Sequence, residues 1–225
     1  MIAMAARGLT GLITTTAAAR AEVMREIDAR GGTVKHHLTL PLPLAPGFLR
    51  QDPTDAMLAA QRYFVMLGAI EPRKNHALLL RLWPRLITQL GDAAPKLIIV
   101  GSPAQNSGPV MDVIATLPGH VIHAPGLSTQ AVRILLRGAQ ALLMPSWAEG
   151  FGLPVQEALS LGVRVIASDL PAHREIAQHQ ALLIPPDQDH AWLAALLKPP
   201  PPPQGYRPML ADEYFQTMTG WLREI

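Results

Sequence analysis

The sequence predicts an α/β fold, a parallel sheet of about six strands with helices on both faces. Three observations carry that expectation. Short, nearly all-apolar runs recur along the chain, among them Tyr63–Leu67, Lys96–Val100 and residues 141–144. Such runs suit strands buried on both faces. Stretches of helical spacing alternate with them. The runs end in glycine-containing turns at Gly68, Gly101 and residues 149–152. In a parallel sheet those turns share the carboxyl edge, where α/β proteins hold their ligands.

Taken in order, Leu12-Ile13-Thr14-Thr15-Thr16 reads as a strand whose end caps the next helix. Residues 17–30 are alanine-rich with scattered charges, a helix stopped by Gly31-Gly32. Residues 33–40 form a second strand. Pro41, Pro43 and Pro46 then mark an extended connector. One β-α-β piece cannot bury its own faces. Either it joins the main sheet, or it is the remnant of another domain.

Tyr63–Leu67 is the next strand, followed by a polar turn from Gly68 to Asn75 and an amphipathic helix over residues 76–90. Pro84 inside that helix predicts a kink or break. Strands at 96–100 and 121–123 flank a short helix at 109–117. Ser128 caps a helix over 129–137. Strand 141–144 leads into Pro145-Ser146-Trp147-Ala148-Glu149-Gly150-Phe151-Gly152-Leu153-Pro154, and a helix begins there. Strand 163–167, a short helix at 172–177, strand 182–184 and helix 189–197 complete the alternation. The run Pro199 to Pro203 is an extended linker. A terminal helix over 212–225 places Tyr214, Phe215, Met218, Trp221 and Leu222 on one side. The expected domains are 1–45, a linker at 46–62, the main domain at 63–198, and 199–225.

Composition narrows the function. The 225 residues are 49% hydrophobic, enough for a packed core. Net charge is +2, with no basic stripe interleaved with aromatics, so no nucleic-acid partner is expected. The chain has no cysteine, which excludes disulfides and thiolate metal sites and fits a cytoplasmic protein. No apolar run approaches the ~18–20 residues of a membrane span. Residues 1–7 lack the basic and apolar regions of a signal peptide. Peripheral association with the inner face of a membrane stays open.

The loop at 149–154 carries the chemistry. Gly150 and Gly152 let backbone approach a ligand, and Pro154 suits a first helical turn. The N–H groups there favour an anion such as a diphosphate. Glu149 stands beside that pocket. Glu157, eight residues on, can accept two hydrogen bonds from a vicinal diol such as ribose. The plainer reading is a tight turn before a helix. Arg73-Lys74, after the 63–67 strand, would face the same crevice and pair with phosphate oxygens. Alone, such a pair is more often a solvated turn; beside the glycine loop, phosphate binding is favoured. The histidines, His76 after the basic turn included, lack partners at metal-ligand spacing. No P-loop, Gly-x-Gly-x-x-Gly or Gly-x-Ser-x-Gly motif occurs.

These residues resemble the retaining glycosyltransferases of family 4. The likeness rests on Pro145-Ser146, Glu149-Gly150-Phe151-Gly152-Leu153-Pro154 and Glu157-Ala158, with the Glu-x7-Glu spacing. It rests also on Gly68 with Glu71-Pro72-Arg73-Lys74-Asn75, and on Val165-Ile166-Ala167-Ser168-Asp169 with Glu175. It covers roughly residues 63–197. The resemblance implies a GT-B fold of two Rossmann-like domains, of which this chain supplies the C-terminal, donor-binding one. It further implies a GDP- or UDP-sugar donor, a saccharide or lipid-linked acceptor, and a role in polysaccharide biosynthesis without metal or other cofactor. Glu149, Lys74 and Arg73 would be catalytic. Gly68, Gly150, Phe151, Gly152, Leu153 and Glu157 would bind the donor.

The chain departs from the family pattern at Ala69, Pro125 and Arg164, where arginine, glycine and proline are usual. Residues 1–45 resemble only the last β-α-β of the acceptor-side domain. The apolar face of the terminal helix, Phe215 and Trp221 included, would then need another surface, a second copy or an N-terminal-domain partner. A non-catalytic nucleotide-sugar-binding module, or a fragment that needs a partner, is the alternative. An epimerase or phosphorylase of similar architecture is the third reading. The 71–75 turn leans toward mannosyl transfer by resemblance.

Overall fold

The computed structural model describes residues 9–50, 52 and 55–225; residues 1–7, considered above for a signal peptide, lie outside them. The chain opens with β1 (Gly11–Thr14), α1 (Ala17–Asp28) and β2 (His36–Thr39). β1 and β2 pair in parallel, Gly11 with His36 through Thr14 with Thr39. They form a two-stranded sheet and do not join the larger one.

That larger sheet contains β3 (Tyr63–Leu67), β4 (Lys96–Val100), β5 (Val121–His123), β6 (Leu142–Met144), β7 (Val165–Ser168) and β8 (Leu182–Ile184). All neighbours are parallel, in the order β5-β4-β3-β6-β7-β8. A short helix, α2 (Ala56–Ala59), precedes β3. Helices α3 (His76–Leu90), α4 (Gly108–Ala115), α5 (Thr129–Gly138), α6 (Leu153–Ser160), α7 (Pro171–Ala177) and α8 (Asp189–Leu197) follow the successive strands. The chain builds outward from β3 to β5, then returns to lay β6 on the other side of β3. Strand order therefore reverses between β3 and β6. The loops leaving those strands diverge, and a crevice opens at their carboxyl ends.

Alternation along β3 divides the core. Phe64 and Met66 face one side, with Leu79, Leu82 and Trp83 of α3 and Trp192 of α8. Tyr63, Val65 and Leu67 face the other, with Leu136 of α5, Val155 and Leu159 of α6 and Ile176 of α7. Every residue of β3 is buried, as the all-apolar sequence requires.

Two expectations need correction. Pro84 does not break α3, which runs continuously over fifteen residues. Its ring lies on the exposed side, while Leu82, Trp83 and Leu86 are buried, and Trp83 Nε1 donates to Pro95 O at 3.0 Å. Packing of that apolar face outweighs one missing hydrogen bond. The connector after β2 is also more than extended chain. Leu44 and Phe48 are buried in the core, and Pro46–Leu49 forms a 3-10 turn. Arg133 of α5 donates to Gly47 O at 2.6 Å and to both carboxylate oxygens of Asp52 at 2.7 and 2.6 Å.

The five prolines at 199–203 lie outside any helix or strand and lead to α9 (Ala211–Glu224). Leu44 N–H donates to Met209 O at 2.8 Å, which ties this return segment to the connector. Tyr214, Met218 and Trp221 are half-buried, whereas Phe215 and Leu222 are 55% and 52% exposed. The five apolar residues thus do not share one covered side. Trp221 lies against β1 of the same chain, so close that a methyl group on Gly11 would stand 2.6 Å from its ring. No helix among the described residues is long and apolar enough to cross a membrane.

The carboxyl edge has little slack. A Cβ on Gly101, just past β4, would stand 2.0 Å from the carbonyl oxygen of Gly68, just past β3. Gly101→Ala should therefore force these turns apart and cost about 3 kcal/mol or more. For a chain of this size that is a fall in Tm of roughly 6–12 °C by calorimetry.

Candidate functional site at the β3–β6 crevice

After β3 the chain crosses Gly68 and tightens into the 3-10 turn Pro72–Lys74. Asn75 follows in the left-handed conformation, φ 56°, and its side-chain amide donates to Pro145 O at 3.0 Å. That bond ties the β3 turn to the loop leaving β6. Gly68 has no side chain because Lys74 fills the space: a Cβ there would be 3.2 Å from Lys74 Cε.

After β6, Pro145 and Ser146 are buried and Trp147 N–H donates to Arg73 O at 2.9 Å. Glu149 then turns inward. Its Oε1 accepts from Lys74 Nζ at 2.7 Å and from Ser146 Oγ at 2.6 Å, and its Oε2 accepts from Arg73 at 2.9 Å. The Lys74 and Glu149 side chains are 9% and 6% exposed. Burial works to raise the Glu149 pKa, but the hydrogen bonds of Lys74 and Ser146 and the charges of Lys74 and Arg73 prevail and hold it below the usual carboxylate value. Arg73 itself lies toward solvent and bridges Glu149 and Glu71. Of the two cations expected to face the crevice, Lys74 is inside it and Arg73 guards its rim.

The rest of the loop starts α6. Gly152 has φ 99°, and a Cβ there would be 3.2 Å from the ring of His173, so the turn needs glycine. At the start of α6 Pro154 has no N–H, and the Val155 and Gln156 N–H groups donate to Gly152 O at 2.9 and 3.3 Å, so among the described residues only Leu153 N–H of this turn lacks an acceptor. The Phe151 side chain is buried in the core, so the donor-binding part expected of it falls to its backbone N–H. The Leu153 side chain is exposed. Glu157 lies one turn into α6, and its carboxylate makes no hydrogen bond among the described residues. Burial pushes its pKa up to about 7. His76, the first residue of α3, is buried with neither ring nitrogen hydrogen-bonded among the described residues, and burial followed by the Lys74 charge lowers its pKa to about 4. It stays neutral beneath the basic turn.

One part of the site escaped sequence reasoning. The β1–α1–β2 unit seats its helix on the glycine loop. Glu175 of α7 accepts from the N–H groups of Ala17 and Ala18 at 2.7 and 2.9 Å. The hydroxyls of Thr15 and Thr16 donate to Gly150 O at 3.3 and 3.5 Å. Thr16 also caps α1 by accepting from Ala19 N–H at 3.0 Å. The threonine run signalled a helix cap; nothing local signalled a partner more than 130 residues away.

Glu157 provides a pH test. Between about pH 4.5, its unperturbed value, and about pH 7, the unfolded chain has released this proton and the folded chain retains it. Its contribution to stability is complete below that window, falls as pH rises and is lost above the folded pKa. Glu157→Gln should melt higher than the parent at pH 8, and the difference should vanish near pH 4.5 by scanning fluorimetry.

Comparison with known proteins follows this geometry. The family described as Glycosyl transferases group 1 matches residues 56–198. The serotype-specific mannosyltransferase WbdA of Escherichia coli is 33% identical over 140 residues, covering 61% of this chain and 16% of that protein. The O-antigen chain mannosyltransferase B of Escherichia coli is 25% identical over 196 residues, covering 83% of this chain and 50% of its own length. The chain thus spans at most half the length of these relatives. Among solved structures, TarM superposes with a TM-score of 0.66 at 18% identity, over 84% of this chain and 36% of that one. Sucrose-phosphate synthase from Thermosynechococcus elongatus does so at 0.66 and 19%, over 87% and 50%. These likenesses identify the six-stranded unit as the Rossmann-like layer of a GT-B fold. With its fold and more than half of its length accounted for, the chain belongs to the glycosyl transferases group 1 family.

Proposed function

We propose that this chain forms the donor-binding half of a retaining glycosyltransferase of family 4, which moves a sugar from a nucleoside diphosphate to a saccharide or lipid-linked acceptor. The observation that carries the reading is the Lys74–Glu149 pair, held at 2.7 Å in the crevice beside the opening turn of α6. The diphosphate would lie against the backbone N–H groups of Gly150, Phe151 and Gly152 at the mouth of α6, with Lys74 and Arg73 opposing the charge that grows as the bond to the sugar breaks. The electron pair of that bond goes to the phosphate oxygen. The acceptor oxygen forms the new bond and gives its proton to the departing phosphate oxygen. Glu149 would face the sugar hydroxyls while holding Lys74 in place, and Glu157 would take the ribose diol. Retention rests on the Glu149–Glu157 spacing, eight residues as in the family it resembles. Mannose from GDP-mannose is the favoured sugar, because relatives over most of the matched region are named mannosyltransferases.

A cytoplasmic site at the inner face of the membrane would suit a lipid-linked acceptor. The relatives extend well beyond the matched region, so a further domain would complete the acceptor side and the chain alone would bind donor without robust turnover. Rapid transfer by the chain alone would refute that part.

By calorimetry, GDP or UDP should bind; silence at millimolar concentration would sink the site. Lys74→Ala should weaken the diphosphate by about tenfold to a hundredfold through a lost charge-assisted contact, and change nucleoside affinity by less than about twofold. Equal losses would remove Lys74 from the phosphate. Nucleoside affinity should also rise from pH 6 to pH 8 as Glu157 ionises, and Glu157→Gln should flatten that rise.

A further inference from the structure

A cavity adjoins the loop that carries Glu149. It holds about 500 Å³ between α1 and the loop that carries Trp147. Trp147, Glu149 and Gly150 line one wall, and Glu22 and Arg25 of α1 line the other.

Trp147 is the anomaly. Its side chain is 52% exposed, although Pro145 and Ser146 just before it are buried. Leaving half of such a ring in water forgoes apolar burial. Its backbone is nevertheless pinned. Trp147 N–H donates to Arg73 O at 2.9 Å, and Arg73 donates to Ala148 O at 3.0 Å. The fixed backbone therefore presents a half-exposed aromatic ring two residues from Glu149, whose side chain is buried.

We propose that this cavity is the acceptor subsite, and that Trp147 is the platform on which the sugar ring of a saccharide acceptor stacks. The proposal rests on the donor reading above for its place in the reaction. A pyranose has one face of C–H groups, which suits the electron-rich face of an indole. Its hydroxyls both donate and accept, and the opposite wall offers the Arg25 guanidinium for one role and the Glu22 carboxylate for the other. The charged lining is two carboxylates, Glu22 and Glu149, and one guanidinium, Arg25. That balance disfavours a diphosphate and suits a neutral polyol. Lys74 is not part of this lining, so Glu149 divides a cationic side from a polyol side. A cavity of this size accepts one or two sugar rings.

The test titrates the full chain with mannotriose by saturation-transfer NMR and, in parallel, with GDP by calorimetry. Trp83 and Trp192 are buried and Trp221 is half-buried, so a mannotriose-induced emission change would report mainly on Trp147. Trp147→Ala should weaken mannotriose by about tenfold, and Trp147→Phe, which keeps a ring, by no more than about threefold. Both should hold GDP within about twofold. The proposal is overturned if mannotriose fails to bind up to about 50 mM, or if Trp147→Ala binds it as the parent does. Joint loss of mannotriose and GDP in a folded Trp147→Ala also overturns it, because the ring would then serve the nucleobase. Mannotriose binding that depends on Trp147, with no GDP binding, upholds the subsite and sinks the donor reading; GDP binding without mannotriose does the reverse.

Discussion

Lys74 and Glu149 meet across the seam where the order of the strands reverses, and both are nearly removed from water. Burying two charges is costly, and removing one partner from such a pair typically costs about 3–5 kcal/mol. The surroundings are arranged to keep it intact. Ser146 and Arg73 supply further donors to Glu149. Asn75 binds the carbonyl at the start of the opposite loop, and Gly68 leaves room for the lysine stem. The parallel pairing of β3 with β6 brings the two loops into reach. Each element of the crevice therefore has a mechanical reason that precedes any ligand.

The β1–α1–β2 unit is held by polar contacts to the same loop. Glu175 satisfies two N–H groups at the start of α1, a position where a carboxylate is favoured by the unpaired donors and the helix dipole. The Thr15 and Thr16 hydroxyls reach the carbonyl of Gly150. The peptide between Gly150 and Phe151 is thereby fixed in orientation, and its N–H lies at the mouth of α6. The unit joins the glycine loop by hydrogen bonds, while α9 covers β1 through Trp221. Ile13 of the small two-stranded sheet stays exposed.

These arrangements divide the site by charge. On one side of Glu149 stand Lys74 and Arg73; on the other, a cavity walled by Trp147, Glu22 and Arg25. A phosphorylated donor and a neutral polyol make opposite demands on electrostatics. Under the proposed reading a single carboxylate, with its pKa lowered by its cationic neighbours, would separate the two environments.

Much of this protein was determined by its sequence alone. All-apolar runs can be buried only between two layers of helices, so the parallel sheet and its layers follow from local pattern. The Gly68 and 149–152 turns fall where strands end, because chain reversal and ligand approach both need residues without side chains. Other features depended on contacts between distant segments. The pairing of Lys74 with Glu149 needs β6 beside β3, an order that no local window contains. Pro84 sits within an unbroken helix because its neighbours pack into the core. Phe151 turns inward, Phe215 outward, and Glu175 reaches α1 for the same reason. Local propensity sets which element forms; burial and charge pairing between remote elements set which way each side chain points, and that direction only the tertiary structure could decide.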